Sequence, residues 1–180
     1  MRKKAVLDWI KAIVIAVLIV FVIQNFFFAN YVVHGQSMLP TIHDGNRVIV
    51  NKIDYDFSKP ERFELIVFHY SESEDFIKRV IGLPGDSLHY EDDVLYINGK
   101  PMKEPYLKRF KEQLVSGKLT QDFTLKEKTG RKIVPKGKVF VLGDNRRRSY
   151  DSRYFGFVSM DDIVGKVDLR YWPISAFEVY

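Results

Sequence analysis

A chain of 180 residues has room for a membrane segment plus one globular domain of about 150 residues, or for two small lobes. Its composition, 46% hydrophobic and 14% aromatic, excludes disorder as the default state. The absence of cysteine excludes disulfides and thiolate metal sites, and the net charge of +5 suits an anionic partner, membrane surface or nucleic acid, without separating the two.

In chain order, residues 1–11 carry Arg2, Lys3, Lys4 and Lys11 against Asp8 alone, and no charged residue follows from Ala12 to Ala29. A helix over that apolar run would span roughly 27 Å, close to a bilayer's hydrocarbon thickness. Trp9 and Tyr31 flank it as interfacial aromatics would, and Gln24 and Asn25 fall near its far end, at headgroup depth. A cleaved secretory signal and a retained anchor both fit the basic start and apolar middle. Cleavage requires small residues at −1 and −3, and Phe27-Phe28-Ala29 supplies only one, which favours the anchor. No Lys or Arg occurs between Ala12 and Arg47, so the positive-inside rule keeps 1–11 cytoplasmic and puts 30–180 outside.

Beyond the anchor the pattern becomes strand-like. Tyr31–Val33, Arg47–Val50, Phe63–Tyr70, Asp75–Ile81, Leu88–Tyr90, Val94–Ile97, Val139–Leu142 and Gly165–Trp172 are rich in Val, Ile, Phe and Tyr, and turns such as Pro84-Gly85-Asp86 and Asn98-Gly99 separate them. Without βαβ spacing, this predicts a mainly β domain with an antiparallel, partly closed sheet. Two helical pieces are expected. Tyr106–Ser116 places Leu107, Phe110, Leu114 and Val115 on one face, and Ser159–Asp162 reads as a capped single turn. Residues 101–133, polar and Lys-rich, read as an excursion on the core sheet, a variable insertion.

Amide hydrolysis needs a nucleophile, a base that can be neutral near pH 7, and donors for a developing oxyanion. Ser37, in Gly35-Gln36-Ser37-Met38-Leu39-Pro40-Thr41 just past the apolar run, is the candidate nucleophile. His34, His43, His69 and His89 are scattered and sit in no catalytic or H-E-x-x-H pattern, so neither a histidine base nor a metal is expected. In Asp75–Ile81 the period of two sets Phe76, Lys78 and Val80 on one face, where desolvation could hold the lysine neutral. The competing reading, a lysine snorkelling from a sheet edge, is the stronger one on this segment alone. The segment Gly143 to Arg153 follows a strand and packs small polar groups among arginines; it can orient an amine, or be a basic surface loop.

Taken together, S-M-x-P-T, then K-R-V-I-G-x-P-G-D, then G-D-N-R-x-x-S-x-D-S-R-x-x-G, behind one anchor, resemble the bacterial type I signal peptidases of the Ser-Lys kind, in the short Gram-positive form. Here these are Ser37–Thr41, Lys78–Asp86 and Gly143–Gly156, and the resemblance covers about 9–98 and 134–172. It implies that Ser37 is the nucleophile and Lys78 the general base, with the Ser37 N–H as one oxyanion donor. It implies further that Ser149 orients the Lys78 amine, that Asp151 and Arg153 form a supporting ion pair, and that Asp144 and Arg146 brace the same loop. Some members carry a serine two residues before the nucleophile as a second oxyanion donor; Gly35 stands there in this chain.

An extended peptide could add as a strand beside Tyr31–Val33 and Asp75–Lys78. By the same resemblance Tyr31, Val33, Met38, Ile42, Phe76 and Ile77 would wall small pockets admitting Ala-sized residues at −1 and −3 of a preprotein. No cofactor is implied; the expected partners are preproteins and membrane lipid, with no nucleic acid. Ser37 follows Tyr31 by six residues, so cleavage would fall at the membrane surface, where Arg146-Arg147-Arg148 could meet anionic lipid or form a solvated run. Three other readings compete: a catalytically inactive anchored relative that binds exported proteins, a self-cleaving Ser-Lys regulator, and an anchored basic module that grips nucleic acid or anionic polymer. The first should lack the nucleophile or base, the second needs a DNA-binding head, and the third would bind with steep salt dependence.

Overall fold

The computed structural model describes the backbone from residue 2 to 180, and all side chains except those of residues 2–7, 22–26, 54 and 56. The side chains of Arg2, Lys3, Lys4, Gln24 and Asn25, to which the sequence reading gave membrane roles, lie outside the described residues. Helix α1 (Arg2–Phe27) leads directly into strand β1 (Phe28–Val32). The helix therefore stops two residues short of the expected 12–29 span, because Phe28 and Ala29 already pair with Asn51 and Val50 of β2 (Arg47–Asn51). Described side chains of α1, Trp9, Ile13, Leu18 and Phe21 among them, are more than half exposed. Among the described residues, no helix is long and apolar enough to cross a membrane.

The remaining strands are β3 (Leu65–His69), β4 (Asp75–Gly82), β5 (Leu88–Glu91), β6 (Val94–Ile97), β7 (Lys100–Met102), β8 (Phe123–Thr124), β9 (Lys138–Leu142), β10 (Val158–Ser159), β11 (Ile163–Trp172) and β12 (Glu178–Val179). They form two antiparallel sheets. The larger is eight-stranded, ordered β1-β2-β11-β3-β4-β9-β10 with β12 on β11; the smaller is β7-β6-β5-β8. The ends β1 and β10 do not pair, so the expected partial closure is not found: the sheet is open.

Side-chain alternation explains the layering. In β3, Leu65 and Val67 enter the core formed with Val48, Val50 and Val167, while Ile66 and Phe68 enter a second core with Val80, Val139 and Val141. A strand buried on both faces reads as a continuous apolar run, and Leu-Ile-Val-Phe does. A third core of Leu88, Tyr90, Leu95, Phe123, Leu125 and Phe140 joins the small sheet to the large one.

Residues 101–133 contribute β7 and β8 to the small sheet, and Leu107, Leu119, Phe123 and Leu125 are buried. The helix expected over 106–116 is shorter: Pro105 opens a 3-10 turn (Pro105–Leu107), and only Lys108–Glu112 is α-helical. Leu114 and Val115 fall beyond it, and Val115 is 99% exposed. At Met160–Asp162 the single turn is present, but Ser159 makes no side-chain cap. The Met160 N–H donates instead to the Gly137 carbonyl.

Candidate active site

The segment after β1 doubles back on itself. Val33 N–H donates to Asn46 O at 2.8 Å, Gly45 N–H to Val33 O at 2.9 Å, and Gly35 N–H to the Asp44 carboxylate at 2.8 Å. Ile42 N–H closes a turn onto Met38 O, which leaves Ser37 half-buried at its head. Asn145 reaches over from the loop after β9: its backbone N–H donates to Ser37 O and its side-chain amide to Gln36 O, each at 2.9 Å.

Lys78 approaches from β4. It shares a strand face with Phe76 and Val80, and its Nζ lies 4.8 Å from the centre of the Phe76 ring. The residue is 4% exposed, so it does not snorkel. Its amine donates to Ser37 Oγ at 3.0 Å and to Ile77 O at 3.1 Å. Burial pulls its pKa from 10.5 down to about 8, against the opposing pull of Asp151 and Asp144.

Arg79, next in β4, points the other way. Its guanidinium grips Asp144 through Nε and Nη2 at 2.8 and 2.6 Å and lies 3.9 Å from the Tyr106 ring centre. Asp144, fully buried, also accepts from Thr41 Oγ1 at 2.5 Å. The loop from Gly143 to Ser149 is thereby tied both to the Ser37 turn and to β4. Asp151 accepts from Arg153 Nε and Nη2, each at 2.8 Å, and from the Gly143 N–H at 3.1 Å. Ser149 Oγ is buried and without a hydrogen-bond partner, so the bond to the Lys78 amine that the resemblance implies is not made here.

The arginine run divides: Arg146 is buried, while Arg147 and Arg148 are exposed. Arg146 is fully buried and donates to Glu104 Oε1 and to the Tyr90 hydroxyl, each at 2.5 Å. Arg147 binds the carbonyls of Ser116 and Lys118, and of the three only Arg148 reaches the cleft beside Ser37.

That cleft has a volume of about 310 Å³ and is bounded by Tyr31, Val33, Met38, Phe76 and Ile77, with Tyr150 at its rim. Ile42, expected as a wall, is instead fully buried in the core with Met38. Two unpaired strand edges border the cleft: β1 ends the sheet, and residues 75–78 of β4 run past β9, whose pairing begins at Arg79. Tyr31 hydroxyl donates to Asp75 at 2.8 Å, joining the two edges, and burial with this carboxylate pushes the phenol up to about 12. Tyr31 thus braces the cleft by tying the β1 edge to the β4 edge.

A family profile described as "Signal peptidase, peptidase S26" matches residues 6–172. The chain belongs to this signal peptidase family. It is 56% identical over 163 residues to signal peptidase I of Bacillus caldolyticus, covering 91% of this chain and 90% of that one. It is 43% identical over 180 residues to signal peptidase IB of Staphylococcus aureus (strain COL), covering 98% and 94%. A crystal structure of a signal peptidase I from Enterococcus faecalis V583 superposes with a TM-score of 0.58 at 47% identity, over 61% of this chain and 97% of that one. The signal peptidase profile runs through residues 101–133, the part of the chain where the motif resemblance is weakest.

Sequence reading missed Arg79, Thr41, Asn145, Gly143 and Glu104. The first four lie inside or beside the three signal peptidase motifs. Glu104 lies outside all of them, and no local pattern points to it.

Proposed function

We propose that this protein is a membrane-bound serine endopeptidase that removes N-terminal signal peptides from exported preproteins, with Ser37 as nucleophile and Lys78 as general base. The observation that carries this reading is the 3.0 Å contact between the Lys78 amine and Ser37 Oγ, in a site that draws the amine's pKa down to about 8. At pH 7 about a tenth of such an amine is neutral, against well under a thousandth for an ordinary lysine.

In this reading an extended peptide lies between the edges of β1 and β4, its scissile carbonyl over Ser37. Neutral Lys78 takes the hydroxyl proton as Oγ attacks, and the oxyanion forms at the Ser37 N–H. Protonated Lys78 then gives the proton to the leaving amine, and the acyl-enzyme is hydrolysed by a water that Lys78 deprotonates. Asp151 with Arg153, and Asp144 with Arg79, keep the supporting loop rigid, and Ser149 lies buried in that loop. Val33, Met38 and Ile77 favour small side chains near the cut, with Ile42 backing Met38 from the core.

The exposed apolar side chains of α1 and the absence of Lys or Arg from Ala12 to Asn46 support a single-pass anchor with a cytoplasmic N-terminus. The direct passage from α1 into β1 supports a cleft held near the lipid. The test is cleavage of a preprotein by the full chain in vesicles. Ser37→Ala and Lys78→Ala should each lose cleavage while remaining folded; retained activity in either overturns the assignment.

A further inference from the structure

We infer that Asn145 is a positioning residue that sets and polarises the backbone donor of the oxyanion site; the inference rests on the Ser37–Lys78 reading above. The Gln36 carbonyl and the Ser37 N–H are the two ends of one planar peptide unit, so fixing the first fixes the second. Asn145 donates its side-chain amide to Gln36 O at 2.9 Å. Because that carbonyl can only accept, the amide nitrogen must be the atom facing it. The Asn145 backbone N–H holds Ser37 O, the carbonyl of the following peptide, at 2.9 Å. One residue thus clamps the peptide units on both sides of Ser37.

The clamp has a particular consequence for the donor. Among the described residues the Ser37 N–H gives its hydrogen to no protein acceptor, which leaves it for an oxyanion. A carbonyl that accepts a hydrogen bond polarises the N–H at the other end of its peptide, and the effect is larger where water is excluded. Gly35 adds nothing: it has no side chain, and its own N–H is committed to Asp44 at 2.8 Å. The load on the Ser37 N–H is correspondingly greater, and so is the value of holding it still. Asn145 is well placed for this. It is 8% exposed, its carbonyl accepts from the Arg148 N–H, and its neighbours Asp144 and Arg146 are anchored to Arg79 and Glu104.

The test compares Asn145→Ala and Asn145→Asp with wild type, using the full chain in detergent micelles and a peptide spanning a signal-peptide cleavage site. Ala removes only the side-chain donor. Asp keeps the shape but turns a carboxylate toward a carbonyl, and so remains informative if Ala fails to fold. Each protein is also titrated with an aldehyde of the same peptide, whose hemiacetal carries the oxyanion, and with an uncleavable analogue that lacks it. The expected result is a kcat lower by roughly 10–100-fold in Ala and further in Asp, somewhat less than the loss of a donor itself. Aldehyde affinity should fall in parallel, while KM and analogue binding stay within about 2-fold, and the pH limb set by Lys78 stays in place. Unchanged kcat in both variants overturns the inference. So does an equal weakening of aldehyde and analogue, or a displaced pH limb, since either would assign Asn145 to general folding or to the lysine. A wild-type chain that neither cleaves the peptide nor binds the aldehyde overturns the Ser37–Lys78 reading, and this inference with it.

Discussion

Arg79 holds Asp144 by two hydrogen bonds on the face of β4 opposite Lys78, so two consecutive cations of one strand do different work. Among the described residues Lys78 makes no ion pair, and burial draws it toward neutrality against the pull of Asp151 and Asp144; Arg79 has a carboxylate at 2.6 Å and keeps its charge. Removing one partner of a buried pair leaves the other charge unmatched, at a cost of about 3–5 kcal/mol. Arg79→Met and Asp144→Asn should each lower unfolding stability by that order in urea titrations, whereas the double variant should recover part of the loss. An additive double variant would show that the pair is not coupled.

The pH dependence follows from the lysine. Only the deprotonated amine can accept the Ser37 proton, so kcat/KM should rise about tenfold per pH unit below pH 8 and level off above it. Asp151 and Asp144 favour the charged amine, so Asp151→Asn should move the midpoint to lower pH. Lys78→Arg should abolish the limb with the activity, because a guanidinium stays charged throughout. A wild-type rate independent of pH between 6 and 9 would contradict this.

The same lysine affects stability. Its pKa is lower folded than unfolded, so the unfolded chain binds more protons between about pH 8 and 10.5, and stability rises with pH across that window. Below it the full penalty applies, roughly 3 kcal/mol for a fall from 10.5 to about 8. Lys78→Met should therefore be more stable than wild type at pH 7 by up to about that amount. The advantage should fade as the pH approaches 10.5, as thermal unfolding at several pH values would reveal.

Gly143 admits no side chain. A Cβ there would lie 2.1 Å from Ser149 Oγ and 2.5 Å from Ser37 O, the carbonyl of the candidate nucleophile. Gly143→Ala must push the Ser37 turn and the loop apart. A displacement near 1 Å costs about 10²-fold in rate, so preprotein cleavage should fall by that order. Gly130→Ala, at φ +72° and with open space around its Cβ, should lower stability at that helix end while leaving the rate of the folded enzyme unchanged.

The strands and the facing of Lys78 were legible because both are local: a period of two, Val and Ile content, and turns at residues such as Asn98-Gly99. The Ser37 turn and the 143–153 loop were legible as motifs. Glu104 was not, because its partner Arg146 lies 42 residues away and the bond depends on how the small sheet packs. For the same reason Arg146-Arg147-Arg148 read as surface charge, whereas tertiary partners claim the first two. The helix over 106–116 failed because apolar spacing alone ignored Pro105 and the 3-10 turn it begins. Closure failed because strand count says nothing about whether the outer strands meet. Glu104→Ala should cost about 3–5 kcal/mol of stability, by the reasoning applied to Asp144, and would show that this distant residue supports the loop.

Gly35 sits at φ +88°, in the left-handed region. A serine there would find open space around its Cβ, so room is no obstacle. Handedness is: an L side chain in that conformation costs about 1–2 kcal/mol. A hydroxyl at this position would therefore either carry that strain, as Phe63 does at φ +73°, or rewind the turn and release the Gly35 N–H from Asp44. The backbone course that presents Ser37 thus sets a cost of handedness, not of room, on any side-chain donor two residues earlier.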